Sequence, residues 1–267
     1  MKAILTIILL TAYSLQSQAA DNKAKLECIY RLTYQADTIT KRSKTAMMAL
    51  RRNEEKSLFY AQACFELDSL MQNATGIEGY YAARDTVYAR HGGIKAQYYV
   101  LKDFGKQQLD FVESIAKTRK YTEPLPKFNW EITEEQKAIG EHQCQKATCK
   151  FGGRTYEVWF APDIPISDGP WKFYGLPGLI LEVYDTQHHY EFLFQGMRPC
   201  AGQIEIPVEE YSKTTKKEFL HIKQLSIDNP EALLQQMEAE VGIKSERSRA
   251  PKRSSYATME RVESLEK

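Results

Sequence analysis

The chain has little that would announce an activity. Its 267 residues carry 36 lysines and arginines against 35 aspartates and glutamates, a formal net charge of +1. So even a balance gives no electrostatic reason to expect nucleic acid or an anionic membrane as partner. There are five histidines. His188 and His189 are adjacent, so on a strand they point to opposite faces and cannot share a metal. His91, His142 and His221 have no carboxylate or thiol spacing that resembles a zinc site. Also absent are a G-x-S-x-G elbow, a C-x-x-C pair, an H-E-x-x-H helix and a glycine loop for phosphate. Those absences remove the common routes to nucleophilic, redox, zinc-hydrolase and nucleotide chemistry; no cofactor and no metal is expected. Beyond residue 20 no apolar run is long enough to span a bilayer, so no transmembrane segment is expected there.

What is present begins with the leader. Met1-Lys2 is basic, Ala3 to Ala12 is almost wholly apolar, and Ser17-Gln18-Ala19-Ala20 supplies small residues for cleavage. That order predicts a secretory signal peptide over residues 1–20 and an exported, soluble product. Export makes the five cysteines relevant, because disulfides persist outside the cytosol. They are Cys28, Cys64, Cys144, Cys149 and Cys200. Two bridges and one free thiol can be arranged in about 15 ways, so connectivity is not readable. Cys144 and Cys149 lie an odd number of positions apart on one expected strand and face opposite sides. Cys28 with Cys64 is the favoured pair, since both fall in the first two expected strands. Buried free thiols are the alternative.

Strand signals dominate the remainder. Leu26, Cys28, Tyr30, Leu32 and Tyr34 alternate with polar residues, and Ser57 to Glu66 reads as a second strand. The basic stretch between them reads as a solvated connection with a helical turn at Ala46 to Leu50. Ile77 to Arg90 is expected to be helical, ended by Gly92-Gly93. Ala96 to Phe104 and Gln108 to Lys117 form an expected hairpin around Gly105-Lys106. Two more hairpins are expected, one around Gly152-Gly153 and one around Asp185 to His188. Phe219 to Ile227 reads as a last strand, and Asn229-Pro230-Glu231 as a helix start. From Lys244 the chain is polar, charged and without apolar period, which predicts a disordered tail over 244–267. Short turns between successive strands imply antiparallel pairing. The expected fold class is therefore β-rich α+β: a curved antiparallel sheet, a meander or half-barrel, with a few helices in a single domain over 21–243.

The densest punctuation lies in "APDIPISDGPWKFYGLPG", Ala161 to Gly178, ahead of the apolar run Leu179 to Val183. Four prolines fix φ and three glycines permit unusual φ, which together specify a shaped loop. Loops of this length are uncommon unless functional or packed by their own side chains. Trp171, Phe173 and Tyr174 are its aromatic candidates for ligand or partner contact, with Asp163 and Asp168 shaping the loop through side-chain to backbone hydrogen bonds. The competing reading makes the same aromatics a core plug at an open end of the sheet.

The stretch "GRTYEVWFAPDIPISDGPWKFYGLPGLILEVYD" resembles the signature of the GLPGLI family, whose hexapeptide stands intact at Gly175 to Ile180. Tyr121 to Ile132 and Cys144 to Ala147 also resemble its pattern. The resemblance implies a secreted protein of a Gram-negative bacterium, periplasmic or extracellular, with a β-rich fold and no established activity or catalytic residues. The tail after Lys244 is not part of that pattern.

Two function classes follow. One is a non-enzymatic binding or accessory protein of the cell envelope, with an apolar ligand or an envelope protein as partner and no nucleic acid. The other is a hydrolase using loop carboxylates, with a structural envelope protein behind both. A pocket lined by Tyr, Phe and Leu favours the first, and acids converging on a cleft favour the second.

Overall fold

The computed structural model describes residues 22–37, 41–115, 117–208, 210–229, 231–233 and 235. The expected signal peptide and the expected disordered tail lie outside the described residues. The strands are β1 (Leu26–Asp37), β2 (Arg42–Arg52), β3 (Lys56–Ala61), β4 (Tyr98–Asp103), β5 (Gln108–Ile115), β6 (Lys117–Pro124), β7 (Glu131–Ile139), β8 (His142–Phe151), β9 (Arg154–Ala161), β10 (Leu179–Asp185), β11 (Tyr190–Pro199) and β12 (Ser212–Lys213). The helices are α1 (Gln62–Met71), α2 (Gly76–His91) and α3 (Lys216–Asp228). All described strands join one sheet in the order β12-β6-β5-β4-β3-β2-β1-β11-β10-β9-β8-β7. Every ladder is antiparallel except the short parallel pairing of β12 on β6. The fold is β-rich with a few helices, as the alternation predicted.

Three expectations are corrected. The basic connection before Ser57 is a strand, β2, in which Met48, Ala49 and Leu50 are all fully buried. Covered on both faces, it shows no alternation to read. The strand read over Ser57 to Glu66 ends at Ala61 and continues as α1. The last expected strand, Phe219 to Ile227, is helical. Its signal lies just upstream in the capping-box spacing Thr215 to Glu218: Thr215 Oγ1 accepts from the Glu218 backbone N–H, and the Glu218 carboxylate accepts from the Thr214 hydroxyl.

Paired residues share a face, so the register sorts the sheet into two surfaces. Cys28, Leu50, Phe59, Val100, Phe111 and Tyr121 follow one another across six neighbouring strands on one face. The loop between β9 and β10 and helix α3 cover this face, α3 through Phe219 against Phe111 and Tyr121. Helix α1 covers the other, through Phe65 against Tyr60 and Tyr99.

The loop face is concave. Phe59 on β3 and Phe192 on β11 stand three ladder steps apart, yet their ring centroids are 5.8 Å apart. On a flat sheet three steps are roughly 14 Å. Asp168 is bonded at once to Ile180 at the start of β10 and to Lys102 on β4, which are five steps apart. Flat, that distance is roughly 24 Å. The sheet wraps around its loop.

The favoured disulfide is also corrected. All five cysteines are free. Cys28 lies on the concave face within electrostatic reach of Asp168. Cys64 lies on α1 over the opposite face, bonded to Asp68 and within reach of Tyr99. The sheet itself stands between them. Cys144 and Cys149 share β8 and are unbonded.

Candidate functional site

The loop is a plug first. Phe173 is completely buried and Trp171 is 3% exposed. Phe173 meets Tyr156 edge-on at 4.8 Å, Trp171 at 5.3 Å and Phe128 at 5.5 Å. These two aromatics therefore do not form the outward surface that the sequence suggested. Tyr174 is half-buried; its carbonyl accepts from the Trp130 indole N–H at 2.9 Å, and its ring meets Phe104 edge-on. Asp163 is 54% exposed and faces His142 Nδ1 at 2.7 Å, away from the other acids. Asp168 has no exposed surface.

Two buried lysines hold the plug down, and the sequence analysis singled out neither. The Lys102 ammonium donates to Asp168 Oδ1, to the Gly169 carbonyl at 2.9 Å and to the Phe173 carbonyl at 3.2 Å. All three of its N–H donors are used. Arg52 donates to the other Asp168 oxygen at 3.1 Å, and Asp168 Oδ1 also accepts from the Gly169 N–H. Burial pulls the Lys102 ammonium below its ordinary pKa, and Asp168 opposes that. Lys172 donates to Tyr121 at 2.8 Å and to Glu123 at 2.6 Å, lying over the Phe111, Tyr121 and Trp171 rings. A signal for Lys102 was available: it follows Tyr98 and Val100 at even spacing, a charge in the buried register of its strand.

The glycines of the hexapeptide have separate reasons. Gly175 has φ +96, a region that side-chain-bearing residues avoid. At Gly178 a Cβ would come within 2.2 Å of the Ala161 carbonyl oxygen. Close approach of β10 to the end of β9 leaves no space for one.

Beside the plug the concave face is not filled. A cavity of about 450 Å³ lies between the sheet and α3. Leu32, Ile94, Ala96, Ile115, Leu220 and Ile227 give it apolar walls, and Trp171 and Lys172 reach it from the loop. So Trp171 faces inward, onto this space. Tyr98 also lines it; its ring stacks on Phe111 at 5.8 Å. The Tyr98 hydroxyl is buried with no hydrogen-bond partner among the described residues. Glu113, Tyr190 and Tyr34, all lining the same cavity, are within its electrostatic reach. Burial pushes the Tyr98 phenol well above its ordinary pKa, so it stays a neutral O–H donor. At the α3 side Lys223 bonds both Glu113 oxygens, at 2.7 and 3.0 Å. Size and lining match the pockets that hold small ligands.

Loop carboxylates do not gather at this cavity. Asp168 is held by Lys102 and Arg52, and Asp185 by Arg154 at 2.6 Å while it caps the β10–β11 turn through the Tyr190 N–H. No group of three or more His, Cys, Asp or Glu side chains suited to a metal ion occurs among the described residues. No helix among them is long and apolar enough to cross a membrane.

No curated protein matches the chain. Two solved structures of PNGF-II, in space groups P21 and C2, are similar to it with TM-score 0.51 and 11% identity each. The similarity covers 76% of this chain but 34% and 33% of theirs, so the chain spans about a third of the length of the structures it matches. At that identity the likeness concerns the fold alone. Residues 152–182 match the model of a family described as protein of unknown function, Porph_ging. That segment runs from the β8–β9 turn through β9 and the whole loop into β10, the part of the chain that builds the plug and its glycines.

Proposed function

We propose that the chain is an exported, non-enzymatic binding protein of the GLPGLI type that holds a small, largely apolar ligand in the cavity between its concave face and α3. The observation that carries this is the cavity itself, about 450 Å³ between the sheet and α3, with walls of Leu32, Ile94, Ala96, Ile115, Leu220 and Ile227 and the Tyr98 ring beside them. Against the hydrolase reading, Asp168 and Asp185 are already bound in ion pairs and Asp163 faces solvent elsewhere. A rigid loop, pinned by Lys102 and Lys172, pre-shapes one wall, which limits the entropy lost on binding. Export is read from the leader pattern, and periplasmic or extracellular placement follows from it.

The test is native mass spectrometry of the protein recovered from its own host's periplasm and medium. The expected result is cleavage after Ala19 or Ala20 and an adduct lost on activation. In Ser226→Trp, which projects a large ring from α3 into the cavity, the adduct should disappear while the fold persists. Adduct-free wild-type protein, or an adduct retained equally by Ser226→Trp, would overturn the binding reading.

A further inference from the structure

Five charged residues line the cavity: Lys44, Lys95, Glu113, Lys172 and Lys223. Three are internally balanced. Lys223 neutralises Glu113, and Lys172 is paired with Glu123. Lys44 and Lys95 are exposed, and neither has an acidic partner among the described residues. The fold sets both beside one tyrosine. Lys44 is the cross-strand neighbour of Tyr34, and the Tyr34 hydroxyl donates to the Lys95 carbonyl. Tyr34 in turn stacks on Tyr190 at 6.1 Å with the rings 9° from parallel. Two lysines without an acidic partner among the described residues thus line the cavity beside the stacked Tyr34 and Tyr190 rings, while the Glu113–Lys223 pair, Lys172 and the apolar side chains line the rest of it.

We infer that the ligand is a single-chain amphiphile with an anionic head, the head at Lys44 and Lys95 and the chain lying against the apolar walls past Tyr98. This rests on the reading of the cavity as a binding site and adds the class of ligand. Volume sets the chain count. At about 30 Å³ for each water-sized group, 450 Å³ corresponds to roughly fifteen such groups, the size of one medium-length chain. Charge sets the head. A cationic head would face two ammonium groups of its own sign, and a neutral one would leave them without a use. An anion gains two charge-assisted hydrogen bonds while its chain leaves water.

The probes are dodecanoate, dodecyl phosphate, dodecanol and dodecyltrimethylammonium, each below its micelle concentration. Binding to the delipidated full chain is followed by calorimetry and by tryptophan fluorescence, Trp171 being in the wall. The two anionic probes are expected to bind about tenfold or more tighter than the neutral and cationic ones, the tighter anion naming the head. In Lys44→Gln/Lys95→Gln that advantage should be lost while dodecanol binds as before; both side chains are at the surface, so the fold is not at risk. Added salt should shrink the advantage as well. Equal affinity for dodecanoate and dodecanol, preference for the cation, or an unchanged advantage in the double variant would overturn the anionic head while leaving the binding site standing. Failure of all four probes would overturn both.

Discussion

Lys102 on β4 and Asp168 in the β9–β10 loop form an ion pair in which neither side chain has any exposed surface. It ties the loop to the far side of the sheet, because Asp168 is at the same time hydrogen-bonded through its carbonyl to Ile180 on β10. Removing Lys102 leaves Asp168 with Arg52 alone and takes the donor from the Gly169 and Phe173 carbonyls, a loss in the ~3–5 kcal/mol range of a broken buried pair. Lys102→Met should therefore lower the free energy of urea unfolding by about that amount. Lys106→Met, on the same hairpin but 72% exposed, should change it by less than about 0.5 kcal/mol. Equal effects from the two substitutions would mean that the pair does not anchor the loop.

The aromatics of the loop divide by burial. Trp171→Ala and Phe173→Ala should each cost ~3–5 kcal/mol, the range for deleting a large ring from a packed interior. Tyr174→Ala should cost visibly less, since Tyr174 is half-buried. Gly178→Ala should be as severe as the ring deletions despite adding one methyl, because the Ala161 carbonyl occupies the space. Thermal unfolding of the four variants orders them, and a harmless Gly178→Ala would refute the close-approach argument.

Much of this was legible in the sequence and some was hidden for physical reasons. The hairpin at Gly152-Gly153 was readable because both glycines take positive φ, 57° and 75°, as a tight hairpin turn demands. Strand β2 was hidden because Met48, Ala49 and Leu50 are covered from both sides, which erases period-2 patterning. Helix α3 was hidden because its apolar residues, Phe219 and Leu220 among them, sit in a short amphipathic stretch, while its Thr215–Glu218 capping-box spacing was passed over. The loop stood out through its prolines and glycines, yet whether Trp171 faced in or out depended on the curvature of the sheet around it. The cavity drew little from local pattern: Lys44 and Lys95 come to one tyrosine, Tyr34, only through strand pairing and the Tyr34 hydrogen bond. Long-range register carries that information.

All five cysteines should be free thiols from the outset. Unreduced protein denatured in guanidinium and treated with iodoacetamide should gain five adducts by intact mass, against the three that a Cys28–Cys64 bridge would allow. In the native state reaction should be slow at the buried positions. Burial pushes Cys28 and Cys149 up to about 12 and Cys144 up to about 11, which leaves little thiolate at neutral pH. Cys200 is the half-buried one and should be labelled first. Three adducts in the denatured, unreduced protein would restore the bridge.

Acid should reveal Glu27. Its carboxylate, 2% exposed, accepts from Arg51 at 3.0 Å, Tyr60 at 2.9 Å and Arg198 at 2.6 Å, joining β1, β2, β3 and β11. Burial pushes its pKa up, but the hydrogen bonds from Arg198, Tyr60 and Arg51 outweigh that and hold it below the ordinary 4.5. The folded pKa is thus lower than the unfolded one, so between the two the unfolded chain binds more protons. The stabilisation is complete above the ordinary value and is lost as pH falls through the lowered one. Asp68 works in the opposite sense, its pKa raised by burial against hydrogen bonds from Tyr99 and Cys64, so the whole-protein curve mixes both signs. The difference between wild type and Glu27→Gln isolates the term. Urea midpoints measured from neutral pH down to about pH 3 should show the variant less stable at the neutral end, with the gap closing below about pH 4.5. Curves that stay parallel through that window would mean that the Glu27 charge contributes nothing to the joint between these strands.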